Sequence, residues 1–266
     1  MSIHKLTRQG NRTWLTAGAL STIASIIVSG GAVTSCLVGQ NKLSVANESQ
    51  TFQRAANRIE MDLFSGSVTV TAGQAGEVVV ERRLQWRGTR PTYREDWSGQ
   101  TLRITGKCPG DHDGCGTDYT LRVPPGVSVT ARTGAGDVEI RGLTGEIRLD
   151  TGSGDATIDN ITGKLWFRSG AGAVNGRGLR SPDTDIDTGS DTVDLRYAAA
   201  PATVKVVTGS GEIRVAVPRG GGSEDGYNVQ TKTGSGERTV RVRVDSASSR
   251  TINLSTGSGE ILVDYA

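Results

Sequence analysis

A five-residue motif sets the terms for any fold this chain can adopt. Thr-Gly-Ala-Gly-Asp at Thr133 returns as Thr-Gly-Ser-Gly-Asp at Thr151, Ser-Gly-Ala-Gly-Ala at Ser169, Thr-Gly-Ser-Asp-Thr at Thr188, and Thr-Gly-Ser-Gly-Glu at Thr208, Thr233 and Thr256. The successive spacings are 18, 18, 19, 20, 25 and 23 residues. A repeat in this range marks a solenoid, because a unit this short cannot bury a face alone and must stack on its neighbours. With 37 Gly in 266 residues, long helices are disfavoured, since each interior Gly costs about 1 kcal/mol relative to Ala. Pro numbers only 7 and Gly does not fall at every third position, which excludes collagen. Runs of Val, Ile and Leu separate the glycines, so a core can be buried, which argues against disorder.

Each unit carries two alternating runs, such as 146–150 before the turn and 155–159 after it, the pattern of half-buried strands. Stacked in sequence order, the units align two inward columns before the turn: Val129, Ile147, Leu165, Thr184, Val204, Val229, Ile252, and Ala131, Leu149, Phe167, Ile186, Val206, Thr231, Leu254. Two more follow it: Val138, Ala156, Val174, Val193, Ile213, then Arg238 as an exception, then Ile261; and Ile140, Ile158, Gly176, Leu195, Val215, Val240, Val263. Leu143, Ile161 and Leu179 form a corner column. The residues between are polar and change sign from unit to unit, as in Arg132, Asp150, Arg168, Asp187 and in Glu146, Lys164, Asp183. Neighbouring strands lie about 4.8 Å apart, so these charges face each other and set register. The glycines have a backbone reason, a sharp turn after every strand. A phosphate-cradling loop is the functional rival, but a nucleotide site needs one such loop between a strand and a helix. No cofactor is implied.

The chain carries 30 Lys and Arg against 28 Asp and Glu, and three of the cations, Lys5, Arg8 and Arg12, precede an uncharged stretch over 13–41. Without them the balance is 27 against 28, which lacks the concentrated positive footprint of a nucleic-acid binder. Residues 14–38 are apolar or small and follow the cationic segment, so the positive-inside rule leaves the first dozen residues cytoplasmic and exports the rest. Residues 1–41 therefore read as a signal or membrane-anchor segment. Ala32-Val33-Thr34-Ser35-Cys36 resembles a lipobox that would lipidate Cys36, while an uncleaved membrane helix over 14–38 is the other reading. Either tethers the body to the outer face of the bacterial cell membrane. Residues 42–58 are polar and read as a stalk.

Residues 59–126 read as first strands and a cap, with a shortened corner, Ser65-Gly66-Ser67, and further strands over 77–86, 101–107 and 118–123. Residues 127–266 are the solenoid repeats. The cap holds the loop from Cys108 to Cys115, where a disulfide would pin a surface hairpin. Asp111, His112, Asp113 and the two thiols could instead hold a metal, but an exported chain favours the disulfide and the spacing of seven matches no zinc ribbon.

Asp183, Asp185 and Asp187 alternate onto one solvent face, with Trp166, Arg168 and Lys205 on adjoining rungs. Carboxylates at that spacing stand about 7 Å apart, near what an inverting glycosidase needs, so a carbohydrate-active β-helix is the alternative function. Against it, Lys164, Arg168 and Lys205 oppose the acids in the neighbouring columns. The only histidines are His4 and His112, which removes a Ser-His-Asp triad. Trp166 falls between Arg148 and Asp185, as a stacking partner of Arg148 or as a platform for a sugar.

The membrane segment, the run Val78-Val79-Val80-Glu81-Arg82-Arg83 leading to Trp86, the two-Cys loop running into 118–126 and the repeated turns together resemble a family of bacterial adhesin-like proteins of unknown function, common among exported actinobacterial proteins. The resemblance covers roughly residues 52–266. It implies an all-β, right-handed parallel β-solenoid of about seven or more two-strand coils, and it brings no catalytic residues with it. The function it favours is a non-catalytic module displayed from the membrane that engages cell-wall polymers or surface proteins.

Overall fold

The computed structural model describes residues 42–109, 114–219 and 226–266, and its regular elements there are all β-strands. They are β1 (Ser44–Phe52), β2 (Arg58–Leu63), β3 (Val68–Ala72), β4 (Val78–Trp86), β5 (Thr92–Ser98), β6 (Thr101–Lys107), β7 (Gly116–Val123), β8 (Ser128–Thr133), β9 (Val138–Arg141), β10 (Ile147–Ser153), β11 (Ala156–Asp159), β12 (Leu165–Ala171), β13 (Val174–Leu179), β14 (Asp183–Ser190), β15 (Val193–Tyr197), β16 (Thr203–Ser210), β17 (Ile213–Val217), β18 (Asn228–Ser235), β19 (Arg238–Val240), β20 (Thr251–Ser258) and β21 (Ile261–Tyr265). Two sheets result, one of eleven strands and one of ten. The expected anchor over 14–38, Cys36, and the acids and His112 of the two-Cys loop lie outside the described residues.

From β8 to β17 the sequence-order stacking holds. In every repeat one strand joins the ten-stranded sheet, the chain turns, and the next strand joins the eleven-stranded sheet, with neighbours parallel. Ile147 faces Val129 on one side and Leu165 on the other, and Leu149 likewise faces Ala131 and Phe167. These files meet between the sheets as a continuous core whose members are almost wholly shielded from water. Burying each such aliphatic side chain stabilises the fold by about 1.5–3 kcal/mol. Thr184 is the polar member of its column, and the buried Tyr197 hydroxyl satisfies it by donating to its Oγ1 at 2.8 Å.

The motif is a corner, and each position in it has a separate reason. Its first residue is buried in every coil but the outermost, and its hydroxyl donates to the carbonyl two residues on, as from Thr151 to Ser153 at 3.0 Å and from Thr208 to Ser210 at 3.1 Å. The second residue must be Gly because coils touch there: a Cβ on Gly152 would stand 2.3 Å from the Gly134 carbonyl oxygen. The fourth is left-handed, with φ +125° at Gly154. Asp191 is the one departure from Gly in this column, and it keeps the positive φ, at 96°. Acids at the fifth place hook the next coil: Asp137 accepts from the Asp155 amide at 2.9 Å, and Asp155 from the Ala173 amide at 2.8 Å.

The two ends depart from the sequence-order reading. Strands β20 and β21 do not follow β18 and β19 outward but lie between them and the pair β16 and β17. Val204 thus faces Ile252, and Val229 is displaced to the outermost coil. The inward files supply the reason: Ile252, Leu254, Ile261 and Val263 are uniformly apolar and need a neighbour on each side, whereas Thr231 and Arg238 tolerate an end. Arg238, the exception in its column, is exposed, and its Nη1 donates to the Thr231 carbonyl at 3.3 Å. The N-terminal end mirrors this, since β2 and β3 pair with β8 and β9 while β6 and β7 lie outside them.

Beyond β6 and β7 the chain turns antiparallel, with β5 on one sheet and β4 then β1 on the other. Residues 44–52, read from sequence as part of a stalk, are therefore a strand, paired over its whole length from Ser44 opposite Trp86 to Phe52 opposite Val78. Its polar composition is that of an edge strand with one face in water. Cys108 and Cys115 form a disulfide with Cα atoms 5.9 Å apart. It does not pin a hairpin: it carries the chain from β6 in one sheet to β7 in the other, and so stands where the glycine corner stands in every later coil.

Candidate functional site

The six side chains singled out from sequence come together on the outward face of the ten-stranded sheet. Strand alternation sends Leu165 and Phe167 inward and so turns Trp166 and Arg168 out; β14 does the same with Asp183, Asp185 and Asp187. Trp166 lies in register between Arg148 and Asp185, and Asp185 between Trp166 and Lys205. The Arg168 guanidinium, two residues on along β12, sits 4.8 Å from the Trp166 ring centre, and that of Arg148 on the neighbouring strand lies at 6.0 Å, so two cations stand near the indole. The opposed charges meet as ion pairs: Lys164 with Asp183 at 2.7 Å, Lys205 with Asp185 at 3.3 Å and Arg168 with Asp187 at 3.9 Å. Donation to Asp183 raises the Lys164 ammonium above its ordinary pKa. These pairs are half in water, where solvent screens them, so they add little to stability. Their physical effect is to present a flat, neutralised, polar face around one indole.

A second polar cluster escaped the sequence reading. Arg82 falls in phase with Val78, Val80 and Leu84 on the inward face of β4 and is almost wholly buried. It reaches across the sandwich to Glu95 on β5 in a short ion pair, stacks on the Tyr93 ring at 4.3 Å and lies 3.6 Å from Glu48. Burial holds the Glu95 carboxyl above its ordinary pKa, with Arg82 opposing the rise and Glu48 adding to it. Burial also raises the Tyr93 hydroxyl, as does its bond to Glu48, and raises that of Tyr119. Arg82 Nε, Glu95 Oε2, Tyr119 OH and Trp97 Nε1 have no hydrogen-bond partner among the described residues. The available signal was the phase of Arg82 in a strand whose other inward positions are aliphatic. A concavity of about 330 Å³ beside this cluster is lined by residues of β1, β4 and β7, Glu48 and Arg82 among them. Among the described residues, no cluster of His, Cys, Asp and Glu could hold a metal ion.

This architecture of stacked coils has a counterpart in sequence: the profile of the Toastrack DUF4097 family matches residues 56–266. The chain belongs to that family. The Toastrack match covers both polar clusters except Glu48, because β1 precedes it. Among solved structures the chain is similar to a "putative cell adhesion protein" from Clostridium sporogenes at 11% identity, covering 84% of this chain and 100% of that one, with a TM-score of 0.40. A "putative adhesin" from Bacteroides fragilis matches at 12% identity over 82% of this chain and 97% of its own, with a TM-score of 0.48. A "putative lipid binding protein" from Parabacteroides distasonis matches at 9% over 83% and 96%, with a TM-score of 0.36. Among curated proteins none matches the chain.

Proposed function

We propose that this Toastrack protein is a non-catalytic, adhesin-like module held on the outer face of the cell membrane, where it binds cell-envelope polymers or surface proteins through the outward face of its ten-stranded sheet. The observation that carries the reading is Trp166, half-buried on the outward face of the sheet with two guanidinium groups near its ring. An indole flanked by cations and paired charges offers an apolar stacking surface with hydrogen-bonding groups at its rim, which suits a sugar ring or an extended polar chain. The tether rests on sequence, three cations followed by an uncharged stretch over 13–41. The pairing of Cys108 with Cys115 leaves Cys36 as the lone cysteine and the residue that a lipid would take.

Against turnover of a polysaccharide, each of Asp183, Asp185 and Asp187 faces a cation within 4.0 Å, whereas a general acid needs an environment that keeps its proton. Binding of the full chain to isolated cell-wall fragments tests the reading. Trp166→Ala should weaken it severalfold, while Asp185→Asn should leave it nearly unchanged. Wall polymer cleaved by the native chain and not by Asp185→Asn would overturn the non-catalytic reading. Mass spectrometry of the mature protein separates the two tethers, because an intact Met1 excludes lipidation at Cys36.

A further inference from the structure

We propose that the free edge of β1 pairs antiparallel with β1 of a second copy of this chain on the same membrane, joining the two eleven-stranded sheets into one. This rests on the membrane tether proposed above and names the partner that the tether delivers.

The starting observation is a difference among four edges. The two sheets end in β1, β5, β18 and β19, each with a neighbour on one side only. An open edge accepts another strand unless it is short, charged or bulged. Strand β19 is three residues long and holds Arg238, β18 carries the exposed Lys232, and β5 has Arg94, Glu95 and Asp96 in succession. Strand β1 is nine residues long and pairs with β4 without irregularity. Alternation places Val45, Asn47, Ser49 and Thr51 on its outward face, none of them charged. Its one charge, Glu48, lies opposite Arg82 on the inward side and is held within its own molecule by Arg90 and by the Tyr93 hydroxyl. Among the described residues, no backbone hydrogen bond reaches the far side of β1.

The tether selects a second copy. Only residues 39–43 separate the apolar run ending at Val38 from the first paired residue, and five extended residues span roughly 17 Å. Every copy therefore presents the same edge close to the bilayer and at one height. One pair of strands is a smaller contact than the roughly 1,200 Å² of a stable interface, so confinement supplies the rest by removing freedom that association would otherwise cost. Dispersed singly in detergent, the chain should be monomeric.

The strand is also complementary to itself. A two-fold axis at Glu48 would oppose two carboxylates, whereas one at Asn47 sets Val45 opposite Ser49 of the second copy, Leu43 opposite Thr51 and Glu48 opposite Ala46, inward residues facing inward ones. Leu43 and Val45, two of the few large apolar side chains left exposed among the described residues, at 42% and 45%, each gain a cross-strand neighbour.

The test uses the full chain reconstituted in phosphatidylcholine vesicles and treated with a short bis-maleimide. Flotation with the vesicles reports the tether, and the chain without an added cysteine gives the background from Cys36. Asn47→Cys should yield cross-linked dimer severalfold above that background, and Ser98→Cys, on the charged edge of β5, should not. Adding Val45→Lys/Ser49→Lys to Asn47→Cys sets like charges opposite each other twice and should return the yield to background. Mixing those chains with Asn47→Cys chains carrying Val45→Glu/Ser49→Glu should restore it. Background yield from Asn47→Cys in a chain that floats, or equal yields from Asn47→Cys and Ser98→Cys, would overturn the pairing and leave the tether standing. Repeated on intact cells, an adduct of Asn47→Cys with a different protein in place of the dimer would overturn the second copy as partner. A chain that does not float would overturn both readings.

Discussion

At its N-terminal end the solenoid finishes in antiparallel strands, a disulfide corner and an ion pair between the sheets, whereas at its C-terminal end it finishes in a parallel coil with an exposed arginine at a position in register with the inward files. Both ends face the same hazard, a row of unpaired backbone groups that could template another strand. They also share a device: the first and last coils in sequence are each tucked one place in, so that their apolar files have neighbours on both sides. What differs is the material. The N-terminal end has the aromatic rings and charges of β1, β4 and β5, with Phe52 edge-on to Trp97 at 5.4 Å, and covers its core with a mixed polar layer. The C-terminal end has β18 and β19, whose side chains are partly exposed, and guards its edge with charge.

The largest difference between the ends should appear at Arg82. Arg82→Met leaves Glu95 buried without its main counter-charge, which should cost about 3–5 kcal/mol in chemical denaturation, while the double variant Arg82→Met/Glu95→Leu recovers most of it. The pH dependence has a definite sign. A buried carboxyl whose folded pKa is raised keeps its proton where the unfolded chain has lost it, so folding is favoured less as pH climbs from about 4.3 through the raised value. Arg82 opposes that rise, so the deficit of Arg82→Met should be small in acid and grow toward neutrality. A deficit independent of pH would place the cost elsewhere than Glu95.

Next in size is the test of coil order. Leu254→Ala, in the tucked coil, should cost about 3 kcal/mol because a cavity opens between two packed neighbours. Val229→Ala, in the outermost coil, should cost about 1 kcal/mol or less. Equal costs would return Val229 to the interior and undo the permuted stacking. Reducing the N-terminal disulfide comes third. A separation of seven closes a short loop, so Cys108→Ser/Cys115→Ser should lower stability by about 2.5 kcal/mol, read as a fall in the denaturation midpoint.

The middle of the molecule was legible because every coil there repeats the same demands. Ile147, Leu165 and Val204 had to be inward once the corners were aligned, and the alternating charges on β12, β14 and β16 had to meet. The same logic brought Trp166, Arg168, Asp183, Asp185, Asp187 and Lys205 onto one patch. The ends were not legible from spacing, which carries no information on whether a coil stacks in sequence order. Their clue was chemical: Thr231 and Arg238, two departures from an apolar column in one repeat, mark an outermost coil and not a flaw in the pattern. Strand β5 was missed because charged Arg94, Glu95 and Asp96 mask an alternation in which only Tyr93, Glu95 and Trp97 turn inward. Residues 44–52 were mistaken for a stalk because an edge strand with one wet face has a linker's composition.

Arg238 gives the smallest energetic effect and the sharpest test of the contrast. Its position is in register with Ile261, inward, yet the outermost coil leaves its head group in water beside the Thr231 carbonyl. Arg238→Val should therefore change stability by less than about 1 kcal/mol, since little apolar area is gained at a half-open end. Its consequence should be association. An inward charge at an edge strand obstructs a second sheet from continuing the coil, and replacing it with Val leaves the apolar end formed by Val229 and Val240 open to another molecule. Sedimentation velocity should then show concentration-dependent association for Arg238→Val and none for Arg238→Lys, which keeps the charge. If Arg238→Val sediments as the native chain does at every concentration, the guard at this end is not the arginine, and the exposed Lys232 on β18 becomes the residue to remove.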